Sequence, residues 1–355
     1  MTSTTPHAGG ASARNTMDGP PFELPHAEGV HVEGNHLVER GRVVRLLGVN
    51  HSGTEYSCVH GTGIFEGPDA DGLVAPILAW HANAIRIPLN QSCWLDDGGV
   101  DPRFSGDVYR AAIVDFVRQL RARGLFVIVE LHWSAPGSAL ATGQQPMADA
   151  DHSIAFWRSV APRFAEDRGV ILDLFNEPFL EAQDPWSCLR DGCVIQGKNG
   201  VGSYRTAGTQ AMLDAVRAAG ARNVVMVPGL GYSSDLSGWL AHAPRDPLGQ
   251  IAASLHLYDF NGCKGQGCFS QRYDAVAAAA PLITGELGEG DCGHGFIDDY
   301  MKWADRRGVS YLGWTWNTWD CASGPALIRS YDGIPTPFGQ ALRDHFEDLA
   351  SADAR

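Results

Sequence analysis

Two glutamates carry the strongest chemical signal in the chain. Glu177 lies in LFNEPF and Glu286 in ITGELGEG, each directly after a short apolar run. Breaking a glycosidic bond requires a proton for the departing oxygen and an anion on the opposite side of the anomeric carbon. Two facing carboxyl groups about 5–5.5 Å apart supply both, with net retention of configuration. Other apolar runs also end in groups suited to such a site. They give Arg86 in IRIP, Glu130, His132 and Trp133 in VELHW, Asn176 beside Glu177, His256 and Tyr258 in SLHLYDF, and Trp314 and Trp316 in LGWTWNTW. Arg86 and Tyr258 suit the support of Glu286 as an anion. A neighbouring anion and partial burial would hold Glu177 protonated. Asn176 suits a sugar 2-hydroxyl, and Trp314 suits the floor of a sugar site.

Plainer readings stand beside these. Glu177 precedes Pro178 and is compatible with a helix-terminal carboxylate. Glu289 rivals Glu286, but it sits in a Gly-flanked loop instead of ending the apolar run. Glu130 shares strand parity with His132 and reads as a structural partner for Arg86 or a buried histidine. His132 and His256 are compatible with satisfied core histidines. No HxH or HExxH spacing accompanies them, so neither a metal nor a cofactor is expected. His51, Tyr56 and Asn90 are weaker candidates for lining a cleft.

For these run ends to act together, they must share one face of the molecule. The runs expected as strands are 45–49, 84–87, 126–131, 170–175, 224–227, 251–255, 282–284 and 311–314. Helical patterns fill 73–81, 108–123, 153–164, 206–219, 234–240, 273–280, 296–307 and 338–349. Regular alternation of strand and helix implies a parallel sheet with helices outside. Eight units closing on themselves make an α/β fold of the (β/α)8 TIM-barrel type, with the active site at the carboxyl ends of the strands. An open doubly wound sheet is the rival, but no GxGxxG follows the first strand. Alternation around the EGN and ERG turns predicts a short N-terminal β-hairpin over 30–43. Residues 1–22 are expected to form a disordered leader, and 23–355 a single catalytic domain.

The net charge of −14 disfavours nucleic acid as a partner, while a neutral sugar is indifferent to it. No stretch is long and apolar enough to span a membrane. Oligo- or polysaccharide substrate and a monomeric state are expected. The eight cysteines suggest four disulfides: Cys188–Cys193 and Cys263–Cys268 closing local loops, with Cys58–Cys93 and Cys292–Cys321 joining neighbouring loops. Disulfides favour an extracellular location, although residues 1–21 contain no apolar signal core. A cytoplasmic protein with reduced thiols is the alternative.

Taken as an ordered set, NEP at 176–178, IRIP, ELHW, HLY at 256–258, TGE at 284–286 and GWTW resemble glycoside hydrolase family 5, the cellulase family of clan A. The resemblance spans roughly residues 29–345. It implies Glu177 as acid/base and Glu286 as nucleophile, with Arg86, His132, Asn176, His256, Tyr258 and Trp314 on the family's other active-site positions. A retaining β-glycoside hydrolase of endo-β-1,4-glucanase type is the expected activity. Exo-acting cleavage of a small aryl or lipid glycoside, or a non-catalytic carbohydrate-binding barrel, are the alternatives. GVNHSGTEYSC, GTGIFEGP and ATGQQPM are unlike the best-known endoglucanases and point to a less familiar branch.

Overall fold

The computed structural model describes residues 29–353, together with Met1. Eight parallel strands close into a barrel: Leu47–Asn50, Ala84–Asn90, Phe126–Trp133, Val170–Asp173, Val225–Pro228, Ile251–Tyr258, Leu282–Gly288 and Ser310–Gly313. The last pairs with the first through Tyr311 and Leu47, Leu312 and Gly48, and Gly313 and Val49, which completes the ring. All eight expected strands are present. The second, third, sixth and seventh extend further toward their carboxyl ends than their apolar runs, carrying polar residues into the barrel mouth.

The helices bury one stripe each against the strands. The helix Gly106–Ala122 buries Tyr109, Ile113, Phe116, Val117 and Leu120, and Ser153–Phe164 buries Phe156, Trp157, Val160 and Phe164. Both follow the three-to-four spacing of a helix with one apolar face. The helix expected at 234–240 is absent as a continuous element. Two four-residue turns, Leu230–Ser233 and Trp239–His242, replace it. Gly231, Tyr232 and Ser233 all take positive φ, which interrupts right-handed winding.

The N-terminal hairpin carries a further strand. His31–Glu33, His36–Glu39 and Arg42–Val44 form a three-stranded antiparallel sheet. It closes the amino end of the barrel: Val30 and Leu37 pack with Leu46, Ala84, Phe126, Ile128, Ile171, Met226, Ile283 and Leu312, which fill the barrel interior. The expected leader at 1–22 lies outside the described residues, apart from Met1.

Disulfides join Cys58 to Cys93, Cys188 to Cys193, Cys263 to Cys268 and Cys292 to Cys321. All four lie in or beside loops on the carboxyl face. Among the described residues, no helix is long and apolar enough to cross a membrane.

Candidate active site

Side chains on a strand alternate between its two faces, so the inward set repeats every second residue. Ala84, Ile128 and Ile171 point into the apolar interior. Two residues further on, the same parity brings Arg86, Glu130 and Asp173 inward. The barrel therefore changes from apolar to ionic within one step of the pleat.

Arg86 is the centre of that ionic layer. Its guanidinium is fully buried and lies 2.9 Å from Glu286 Oε1, 3.2 Å from Asp173 Oδ2 and 3.4 Å from Glu130 Oε1. It also donates to Asn50 Oδ1 at 3.1 Å and Asn176 Oδ1 at 3.0 Å. Only a planar fork with several fixed donors can serve so many acceptors at once.

Glu286 enters this layer through a break in register. Leu255 pairs with Thr284 and His256 with Glu286, leaving Gly285 as the extra residue. Such a bulge re-aims the following side chain. Gly285 is needed for a second reason: a Cβ there would lie 3.0 Å from His256 Nε2 and 3.4 Å from Arg86 Nε. Tyr258 donates its hydroxyl to Glu286 Oε2 at 2.6 Å. Both oxygens of Glu286 are thus held by donors.

Glu177 follows the fourth strand and faces Glu286. His256 Nδ1 lies 3.0 Å from Glu177 Oε1 and 3.5 Å from Glu286 Oε2. The nearest ligand atoms of Glu177, His256 and Glu286 all lie within 4.8 Å of one another. This closeness is compatible with the two-carboxyl geometry of retention. Gln144 Nε2 donates to Glu177 Oε2 at 3.2 Å and to the Glu177 carbonyl at 3.0 Å.

Burial separates the titrations of these groups. It raises Glu177 to about 6, against the opposing influence of Gln144, His132 and Arg86. Burial lowers His256 to about 3, keeping its imidazole neutral. At His132 burial also opposes charge, but Glu130, bonded to its Nδ1, and the more distant Glu55 and Glu286 prevail and raise it to about 9. Burial raises Asp173 to about 7 although Arg86 pulls it down. The site can therefore present an acid on one wall and an anion held by Arg86 and Tyr258 on the other.

The cavity over these groups measures about 490 Å³ and is lined by His132, Asn176, Glu177, Tyr258, Glu286 and Trp314, with Gln144, Tyr232, Phe260, Asn261 and Pro325 completing the wall. The Trp314 ring lies 5.5 Å from the His132 ring and 14° from parallel to it.

Trp133 lies elsewhere. It lines a second depression of about 620 Å³ with Tyr56, His60, Phe65, Glu66 and Trp319. Trp316 requires a correction: it is fully buried, with its ring centre 4.6 Å from that of Trp80. The chain has left the strand ladder after Gly313. The Trp316 amide bonds to Asn50 O at 2.7 Å, and the indole turns into the helix layer.

Glu289 has a structural task. Its Oε1 accepts the amides of Phe296 and Ile297, the latter at 3.0 Å, at the start of the helix Gly295–Asp305. Glu130 bonds both Arg86 and His132, as its strand parity suggests.

Asn50, Asp173 and Gln144 were not singled out from the sequence. Asp173 was accessible by counting two residues from Ile171, as Glu130 is from Ile128. Gln144 comes from a long loop, where no periodicity signals its position.

Among the described residues, two groups of side chains have ligand atoms close enough for a metal: Glu177, His256 and Glu286, and separately Asp149, Asp151 and His152. In the first, the carboxylates and His256 Nδ1 already bond one another or neighbouring donors. In the second, Asp149 accepts the His152 amide at 2.7 Å, and His152 Nε2 lies 2.8 Å from Gly137 O. Both sets are explained by protein contacts.

The profile of the Cellulase family, glycosyl hydrolase family 5, matches residues 41–320. A mannan endo-1,4-β-mannosidase of Streptomyces lividans is 26% identical over 303 residues, covering 82% of this chain and 67% of that protein. An endoglucanase of Microbulbifer sp. strain ALW1 is 22% identical over 320 residues, covering 83% of this chain and 54% of that protein. The chain thus spans about half the length of that endoglucanase. Among solved structures, a β-glucanase from Saccharophagus degradans superposes with a TM-score of 0.69 at 21% identity, covering 92% of this chain and 94% of that one. The same β-glucanase has also been solved in complex with cellotetraose.

Proposed function

The chain belongs to glycosyl hydrolase family 5, the cellulase family, and from that premise we propose that it is a retaining, endo-acting hydrolase of β-1,4-linked glucan. The observation that carries this reading is the pairing of Glu177 and Glu286 across one cavity, with their nearest oxygens within 4.8 Å. Glu286, held by Arg86 and Tyr258, attacks the anomeric carbon. Glu177, kept protonated by burial, gives its proton to the leaving oxygen. Glu177 then removes a proton from water, which releases the sugar from Glu286.

Asn176 meets the 2-hydroxyl of the reacting sugar, His132 meets a neighbouring hydroxyl, and Trp314 lies under the ring. The depression lined by Tyr56, Trp133 and Trp319 offers aromatic surface for further sugars. That supports cleavage within a chain over removal of a terminal residue. Mannan is the second reading, favoured by the likeness to the Streptomyces lividans mannosidase. The four disulfides support an extracellular location, and the protein acts as a monomer.

The test is sugar release from β-glucans, mannans, xylans and aryl β-glycosides by wild type and Glu286→Gln side by side. Activity on glucan that falls by several orders of magnitude in the variant is expected. Activity that survives the substitution overturns the assignment of Glu286. Activity confined to mannan moves the substrate to the second reading.

A further inference from the structure

The loop between the third strand and its helix contains ATGQQPM, residues 141–147. Its two glutamines face in different directions. Gln144 lines the cavity, while Gln145 is buried behind it.

The Gln144 amide nitrogen meets two groups of the same residue, the carbonyl of Glu177 at 3.0 Å and its Oε2 at 3.2 Å. A backbone carbonyl can only accept, so it fixes which end of the amide faces Glu177. The nitrogen's second hydrogen is thereby directed at the carboxyl. A donor in that position favours the charged form of the acid over the protonated form.

The loop is secured from outside the barrel. Gln145 takes the Lys198 amide at 3.0 Å and donates to the Lys198 carbonyl at 3.2 Å. Met147 N donates to Tyr204 OH at 3.3 Å, and Ala150 N to Arg205 O at 2.9 Å. Lys198, Tyr204 and Arg205 belong to the hairpin formed by Val194–Gln196 and Ser203–Arg205, whose base carries the Cys188–Cys193 disulfide.

We propose that Gln144 is a positioning residue for the acid/base: the disulfide-based hairpin holds its amide against Glu177, where it stabilises the carboxylate that must form when the proton is given up and act as base in the second half of the reaction. The role named here rests on the glycosidase reading, but the contact and its electrostatic effect do not. The other groups acting on Glu177 are His256 and Tyr258 from the sixth strand, Glu286 from the seventh, His132 and Glu130 from the third, and Arg86 from the second. None of them is altered by a change at Gln144.

The test follows the Glu177 carboxyl directly, by ¹³C NMR titration of the full chain labelled on glutamate, with the resonance assigned by its loss in Glu177→Gln. Gln144→Met keeps the side-chain length and removes the donor. The Glu177 midpoint is expected about one unit higher than in wild type. Gln145→Leu, which keeps Gln144 but frees the loop from Lys198, should shift it the same way by less. An unchanged midpoint in folded Gln144→Met overturns the proposal. Should that variant not fold, an unchanged midpoint in Gln145→Leu does so. Because the titration needs no substrate, a failure here is separate from failure of the hydrolase reading, which the Glu286→Gln panel decides.

Discussion

The Tyr258 hydroxyl and Glu286 Oε2 are 2.6 Å apart, while Arg86 holds the other oxygen of the same carboxylate at 2.9 Å. Tyr258→Phe removes one of these donors and leaves the ring. A hydrogen bond to a charged group contributes about 1.5–3 kcal/mol, so kcat/KM should fall roughly 10–100-fold. An unchanged kcat/KM would remove Tyr258 from the mechanism.

Glu177 must be protonated to assist departure of the leaving group, and burial places its titration at about 6. The value of kcat/KM should therefore decline as pH rises through about 6. That limb should be weaker or absent for a dinitrophenyl glycoside, whose leaving group needs no proton. A limb of equal size with both leaving groups would argue against Glu177 as the acid.

Arg86 is surrounded by Glu130, Asp173 and Glu286 with no exposed surface of its own. Arg86→Met leaves those carboxylates without their shared cation. Removing one partner of a buried ion pair costs about 3–5 kcal/mol, so the urea midpoint should drop markedly. Asp173→Asn should be far milder, since burial raises Asp173 to about 7 and much of it is protonated near neutrality.

Burial also raises Glu55 to about 7, from an ordinary 4.5, although its Oε2 accepts the Gly53 amide at 2.7 Å. The folded state then holds a proton that the unfolded chain releases between those values. This contribution is complete below the lower value and is lost as pH rises through the upper one, by on the order of 3 kcal/mol at most. Glu55→Gln should flatten the fall in stability between pH 5 and 8 relative to wild type. Parallel stability curves for the two proteins would contradict it.

Trp319 lies in the second depression, its ring nitrogen 3.3 Å from Glu66 Oε1. Trp319→Ala should raise KM for long oligosaccharides several-fold and leave short aryl glycosides nearly unaffected. Stacking on an aromatic face contributes binding only where a sugar reaches it. Equal losses on both substrates would place Trp319 among packing residues.

Much of the architecture was legible because barrel strands are short apolar runs and the site gathers at their ends. The same rule yields Arg86, His132, Glu177, His256 and Glu286. It fails where the chain leaves the ladder. Trp316 is only two residues beyond Trp314, yet a turn back to Asn50 sends it into the core. The segment 234–240 reads as helical from its apolar spacing, but the left-handed backbone at 231–233 redirects it. Gln144 reaches the site by tertiary contacts to a hairpin some fifty residues later, which local pattern does not encode.

The sheet that closes the amino end of the barrel has a bearing on biosynthesis. Its strands leave the ribosome ahead of the barrel, but Val32 bonds to Gln250 and Asn35 to Ala277 O, partners separated from them by 218 and 242 residues. The stopper is made before the ring and can be seated only after most of the ring has been translated. Until then its apolar face has no home, and the nascent chain carries that exposure while the barrel is being made.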